Sequence, residues 1–89
     1  MSTYLEDRKF ESLNDAYTRF LSAEARYHDK EMWQTSPSTC IEAFQEMIQE
    51  SDKFRRAMGE LTSRYIPVIF DPAQGKYIKT PLLPLSGTD

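Results

Sequence analysis

The stretch Cys40–Tyr65, CIEAFQEMIQESDKFRRAMGELTSRY, sets Cys40, Phe44, Met47, Ser51, Phe54, Met58, Leu61 and Tyr65 on a ladder whose steps alternate 4 and 3. That period holds one narrow seam of an α-helix toward a partner. A helix of roughly 28 residues is about 42 Å long at 1.5 Å per residue and is not stable in water with its apolar stripe uncovered. The boundaries predict a helix over 37–65. Ser36 suits a cap and Pro37 the first helical position, with Thr39 and Glu42 as a competing start. At the other end Pro67 pushes Ile66 toward extended geometry. Ile41 and Ile48 widen the stripe beyond what one neighbouring helix covers, so a second copy of the chain is the expected cover. The expected self-association or core seam is Phe44, Met47, Phe54, Met58, Leu61 and Tyr65.

Upstream, Leu13, Ala16, Tyr17, Phe20, Leu21, Ala23 and Tyr27 recur at helical spacing and predict a first helix over 12–32. Ser12 with Asp15 is a better start signal than Thr3 with Glu6, because it stands just before the clear pattern; residues 1–11 are then an extended or irregular arm. Downstream, Val68, Ile69 and Phe70, a turn-rich Asp71 to Gly75, and Tyr77, Ile78 and Thr80 predict a β-hairpin over 67–80. Pro81, Leu82, Leu83, Pro84 and Leu85 cannot continue a central strand, which leaves 81–89 as an extended apolar tail. The expected fold is one mainly α domain: an antiparallel two-helix hairpin with a long second helix, then a short β-hairpin and the tail.

Composition narrows the function classes. The chain has 89 residues and a net charge of −3, with ten acids against five bases in residues 1–50 and six bases against four acids in 51–89. An acidic chain with a small basic half is poorly equipped to displace counterions from nucleic acid. One cysteine, Cys40, excludes an intramolecular disulfide framework. No charged-then-apolar leader is visible and no apolar run reaches the ~18 residues of a membrane span, so the expectation is a cytoplasmic protein without a membrane role.

Candidate chemistry is sparse. Cys40 near a helix N-terminus, with His28 across the loop, outlines a nucleophilic pair, but Cys40 on the seam reads better as a small structural hydrophobe. One histidine beside Glu24 and Asp29 is thin as a metal site, and a solvated helix-end residue is the simpler account. No cofactor or metal is expected. Tyr17, Phe20 and Tyr27 read as core rather than a base-stacking platform, because the acidic half flanks them. Glu42, Glu46 and Glu50 at i, i+4, i+8 form either a solvated stripe or a surface for a basic partner. Lys53, Arg55 and Arg56, with Lys76 and Lys79, form the one anion-facing group, whose plainer reading is solubility charge.

The expected function is therefore a small non-enzymatic protein-binding regulator, an inhibitor or adaptor that docks on a partner protein and occludes it. Such a chain is similar in general style to small accessory proteins of phages and mobile elements. The partner-binding candidates are Glu42, Glu46, Glu50, Lys53, Arg55, Arg56, Leu82 and Leu83. The alternatives are a structural or assembly subunit of a larger complex, and a nucleic-acid-binding accessory protein using the basic C-terminal half.

Overall fold

The computed structural model describes residues 2–80, with side chains from Glu6 onward; Leu82, Leu83 and the rest of the predicted tail lie outside the described residues. The elements are α1 (Ser2–Tyr27), α2 (Lys30–Thr35), α3 (Pro37–Ser63), β1 (Val68–Asp71) and β2 (Lys76–Lys79). The helices α1 and α3 are antiparallel: Lys9 meets Glu60, Tyr17 meets Phe54, and Arg26 meets Glu46, so residue number rises on one as it falls on the other. The result is a rod of 58 × 24 × 17 Å.

The first helix starts at Ser2, not near Ser12, and the predicted arm over 1–11 is helical from Ser2 onward. Its residues favour helix locally, and tertiary contacts hold them: Phe10 packs on the core, Lys9 pairs with Glu60, and Glu6 pairs with Lys79 at 3.3 Å. The helix also stops earlier than 32. Asp29 accepts from the backbone N–H groups of Glu31 and Met32 at 3.0 and 3.2 Å, and so caps a separate short helix, α2. Ser36 takes the N-cap position of α3 with Pro37 at its first residue, yet its hydroxyl pairs with that of Thr39 at 2.7 Å instead of a backbone N–H.

The seam between α1 and α3 shares one half of the predicted ladder and shifts the other half by one residue. Cys40, Met47, Phe54 and Leu61 stay at the interface, but Ala43, Glu50 and Ala57 are buried where Phe44, Ser51 and Met58 were expected. Small side chains let the helix axes approach, and α1 answers with Leu13, Ala16 and Ala23, all buried. The bulky Phe44 and Met58 turn to the flank. Tyr65 leaves the seam altogether. It follows the end of α3 with φ 60 and is 93% exposed, while Ile66 N–H bonds the Leu61 carbonyl at 3.0 Å and Tyr65 N–H bonds that of Thr62 at 2.9 Å. This double bond pattern with an apolar Ile66–Leu61 contact is a Schellman stop, in which the left-handed residue points its side chain outward.

The core sits at the end where the β-hairpin folds back: Leu13, Ala57, Leu61 and Ile66, with Phe10, Phe54, Met58, Val68 and Tyr77 packed against them. The strands are antiparallel with Val68 opposite Lys79 and Phe70 opposite Tyr77. That cross-strand aromatic pair clamps onto the helices, Tyr77 lying 5.1 Å from Tyr17 and 5.3 Å from Phe54 between ring centroids. Asp71 closes the turn, its carboxylate accepting from Ala73 N–H at 3.0 Å, and Gly75 takes the left-handed conformation the return needs.

Candidate functional site

The three glutamates expected to form one stripe are dispersed. Glu42 is exposed, Glu46 is half-buried against Arg26 at 2.6 Å, and Glu50 is 4% exposed beneath α1, its carboxylate held by Lys53 at 3.2 Å. The i, i+4, i+8 row drifts around the cylinder, and the shift of the seam by one residue carries Glu50 into the interface. A solvated or partner-facing row of three acids is therefore corrected to one exposed acid, one flanking ion pair and one buried pair. The basic group is also internally engaged: Arg55 reaches Asp52 at 2.9 Å and Arg56 reaches the same carboxylate at 3.9 Å, while both side chains stay mostly exposed. Lys79 pairs with Glu6, and Lys76 lies exposed at the start of β2.

Cys40 is fully buried and its thiol donates to the Arg26 carbonyl at 3.5 Å. Burial first, and the charge of Asp29 second, push the thiol above its ordinary pKa, whereas a nucleophilic thiolate needs it lowered. His28 is exposed and lies edge-on to Tyr27. The two are not joined into a catalytic pair. Among the described residues no group of three or more His, Cys, Asp or Glu converges as a metal site, and no helix is long and apolar enough to cross a membrane.

Two open grooves flank the helix pair. One of about 680 Å³ runs between the N-terminal half of α1 and the outer edge of β2, with Glu6, Asp7, Glu11 and Asp15 mixed among Arg8, Lys76 and Lys79. A smaller one of about 300 Å³ lies over Ala16 and is lined by Asp15, Arg19, Glu50 and Lys53. Both present interleaved charges of opposite sign and stand open to solvent; Phe10, Tyr77 and Ile78 also line the larger.

The distinctive surface is apolar. At the end of the rod away from the hairpin, Tyr27 packs between Trp33 and Phe44, with centroids at 5.7 and 5.4 Å, and Trp33 Nε1 donates to the Tyr27 carbonyl at 2.6 Å. This cluster fixes Trp33 and Phe44 in place yet leaves both well exposed. Ile41 and Ile48, three residues before and four after Phe44, continue the face and are 52% and 54% exposed. Ile41 and Ile48 were visible in the sequence as surplus stripe; Trp33 was not, since nothing marked it beyond its being the single tryptophan in the chain. No family model, curated protein or solved structure matches this chain.

Proposed function

We propose that this protein is a non-enzymatic binding protein, of the regulator or adaptor kind, that acts by docking on another protein chain through the face of Trp33, Ile41, Phe44 and Ile48. The observation that carries this reading is the exposure, at the end of the rod away from the hairpin, of Ile41, Phe44 and Ile48 at helical spacing on α3, with Trp33 joined to Phe44 through Tyr27. Exposed apolar clusters held by rigid elements are how partner proteins are recognised, with aromatic residues as anchors. Trp33 and Phe44 are pre-organised by Tyr27, which lowers the entropy lost on docking. The net charge of −3, with Asp52 held between Arg55 and Arg56, favours this reading over nucleic-acid binding.

The test is affinity capture from the native host with the wild-type chain and with an Ile41→Asp/Ile48→Asp variant, after circular dichroism has shown that both are folded. A stoichiometric protein retained by the wild type and lost by the variant supports the reading. An eluate released by nuclease, or one indifferent to the two substitutions, overturns it.

A further inference from the structure

We infer that the outer face of α3 pairs with the same face of a second copy of the chain, antiparallel and two-fold symmetric. The inference rests on the reading of Ile41, Phe44 and Ile48 as a docking surface and names the occupant. On the side of α3 turned from α1, Ile41, Gln45, Ile48, Asp52, Arg55 and Gly59 recur at alternating steps of 4 and 3, and every one of them is exposed. This is a second stripe at heptad spacing on the same helix, with two isoleucines about Gln45 in its N-terminal half and Asp52, Arg55 and Gly59 in its C-terminal half.

Charge selects the orientation. Glu42 and Arg56 are fourteen residues apart, two whole heptads, and so flank the stripe on the same side. A two-fold axis across the pair lays each flank onto itself in reverse, bringing Glu42 against Arg56 of the second copy twice over. Two symmetry-related ion pairs result. Parallel pairing instead faces the Glu42–Arg56 flank of one copy with the Phe44 flank of the other, and forms no ion pair between Glu42 and Arg56. The Arg56–Asp52 contact within one chain is long, at 3.9 Å, with both side chains exposed, so the guanidinium has donors to offer.

Size selects the register. A Cβ built on Gly59 meets nothing within 4 Å in its own chain, and its φ is not positive. The fold of the single chain therefore gives no reason for glycine inside this helix. In the antiparallel pair Gly59 lies opposite Ile41 of the second copy, where a missing side chain admits the isoleucine, and the same register sets Ile48 opposite Asp52 on either side of the axis.

Sedimentation equilibrium from low to high micromolar concentration tests this on the full chain, with circular dichroism confirming that each variant is folded. The wild type should sediment as twice 10.4 kDa. Glu42→Arg and Arg56→Glu should each weaken association by at least about tenfold, because each sets like charges together. An equimolar mixture of these two variants should restore it, since both flanking pairs are then opposite in sign. A wild-type monomer throughout, or a dimer indifferent to the reversals and not rescued by mixing, overturns the inference. If the wild type is monomeric but Ile41→Asp/Ile48→Asp still abolishes capture of another protein, the face docks a different occupant and only this inference fails. If capture is indifferent as well, both fail.

Discussion

Asn14 on α1 treats Tyr77 on β2 as a neighbouring strand would: its Nδ2 donates to the Tyr77 carbonyl at 2.8 Å and its Oδ1 accepts from the Tyr77 N–H at 2.7 Å. The remaining Nδ2 hydrogen reaches the Phe10 carbonyl at 3.0 Å, one turn back on its own helix. One amide thus completes the outer edge of a sheet that has two strands among the described residues, and it does so from the helix the hairpin must pack against. A hairpin of this size is marginal alone, so the contact links local β structure to the packing of the whole rod.

Replacing Asn14 by leucine should leave both backbone groups of Tyr77 without partners and cost about 1–3 kcal/mol. Chemical denaturation measures the loss, and the Tyr77 amide should lose its protection from hydrogen exchange before those of α3 do. Unchanged stability together with an unchanged Tyr77 exchange rate would show that water replaces the amide at no cost.

Tyr65 sits at φ 60 and exposes almost its whole side chain. A left-handed residue with a Cβ costs about 1–2 kcal/mol, and glycine removes most of that. Tyr65→Gly should therefore stabilise the fold by about 1 kcal/mol and raise the thermal midpoint, although it deletes an aromatic ring. A lower midpoint would mean the tyrosine ring makes a contact that matters.

The sequence made the helices, the hairpin and their order legible because each rests on local chemistry: Pro37 and Pro67 bracket α3, and Asp71 with Gly75 closes the β turn. The seam was half legible. Counting large apolar residues selects Phe44, Met58 and Tyr65, whereas two helices of one chain pack closest through alanine, so Ala43 and Ala57 take the interface. The start of α1 was hidden because Ser12 and Asp15 imitate a cap, and what holds 2–11 as helix, such as Lys9 on Glu60, is distant in sequence. Trp33 could not be placed on a surface without knowing that Asp29 opens a new helix beneath it.

Glu50 is buried and pairs with Lys53, whose own side chain is more than half exposed. Replacing a buried ion pair by apolar groups is often neutral or stabilising, and here the ammonium left behind by loss of Glu50 stands in water rather than buried. Glu50→Met should hold stability or raise it by about 1–4 kcal/mol, read from the denaturation midpoint. A marked loss would show that the carboxylate organises the helix crossing.

Glu60 and Cys40 each contribute to the pH dependence of stability. The Lys9 ammonium, by hydrogen bond and charge, holds the Glu60 carboxyl below its ordinary range, so its contribution is present above the unfolded value and fades as pH falls through the folded one. The Cys40 thiol is raised by burial, so the folded state loses ground as pH climbs past the value of an exposed thiol. Lys9→Met should flatten the acid limb of a stability–pH profile, and Cys40→Ala the alkaline limb. Labelling of Cys40 by a thiol reagent should be slow and should accelerate with denaturant.

Gly59 separates the stability of one chain from the association of two. An alanine in the interior of an exposed helix is worth about 0.8–1 kcal/mol over glycine, and a Cβ there meets nothing in its own chain. At concentrations low enough to keep the chain monomeric, Gly59→Ala should raise the thermal midpoint. If Ile41 of a second copy closes on that position, the same methyl group should weaken the dimer, and Gly59→Leu should weaken it further. The midpoint of the wild type then rises with concentration more steeply than that of either variant. Opposite signs on folding and association identify the glycine as an interface residue; a gain in folding with association unchanged would mark Gly59 as a plain local weakness of α3.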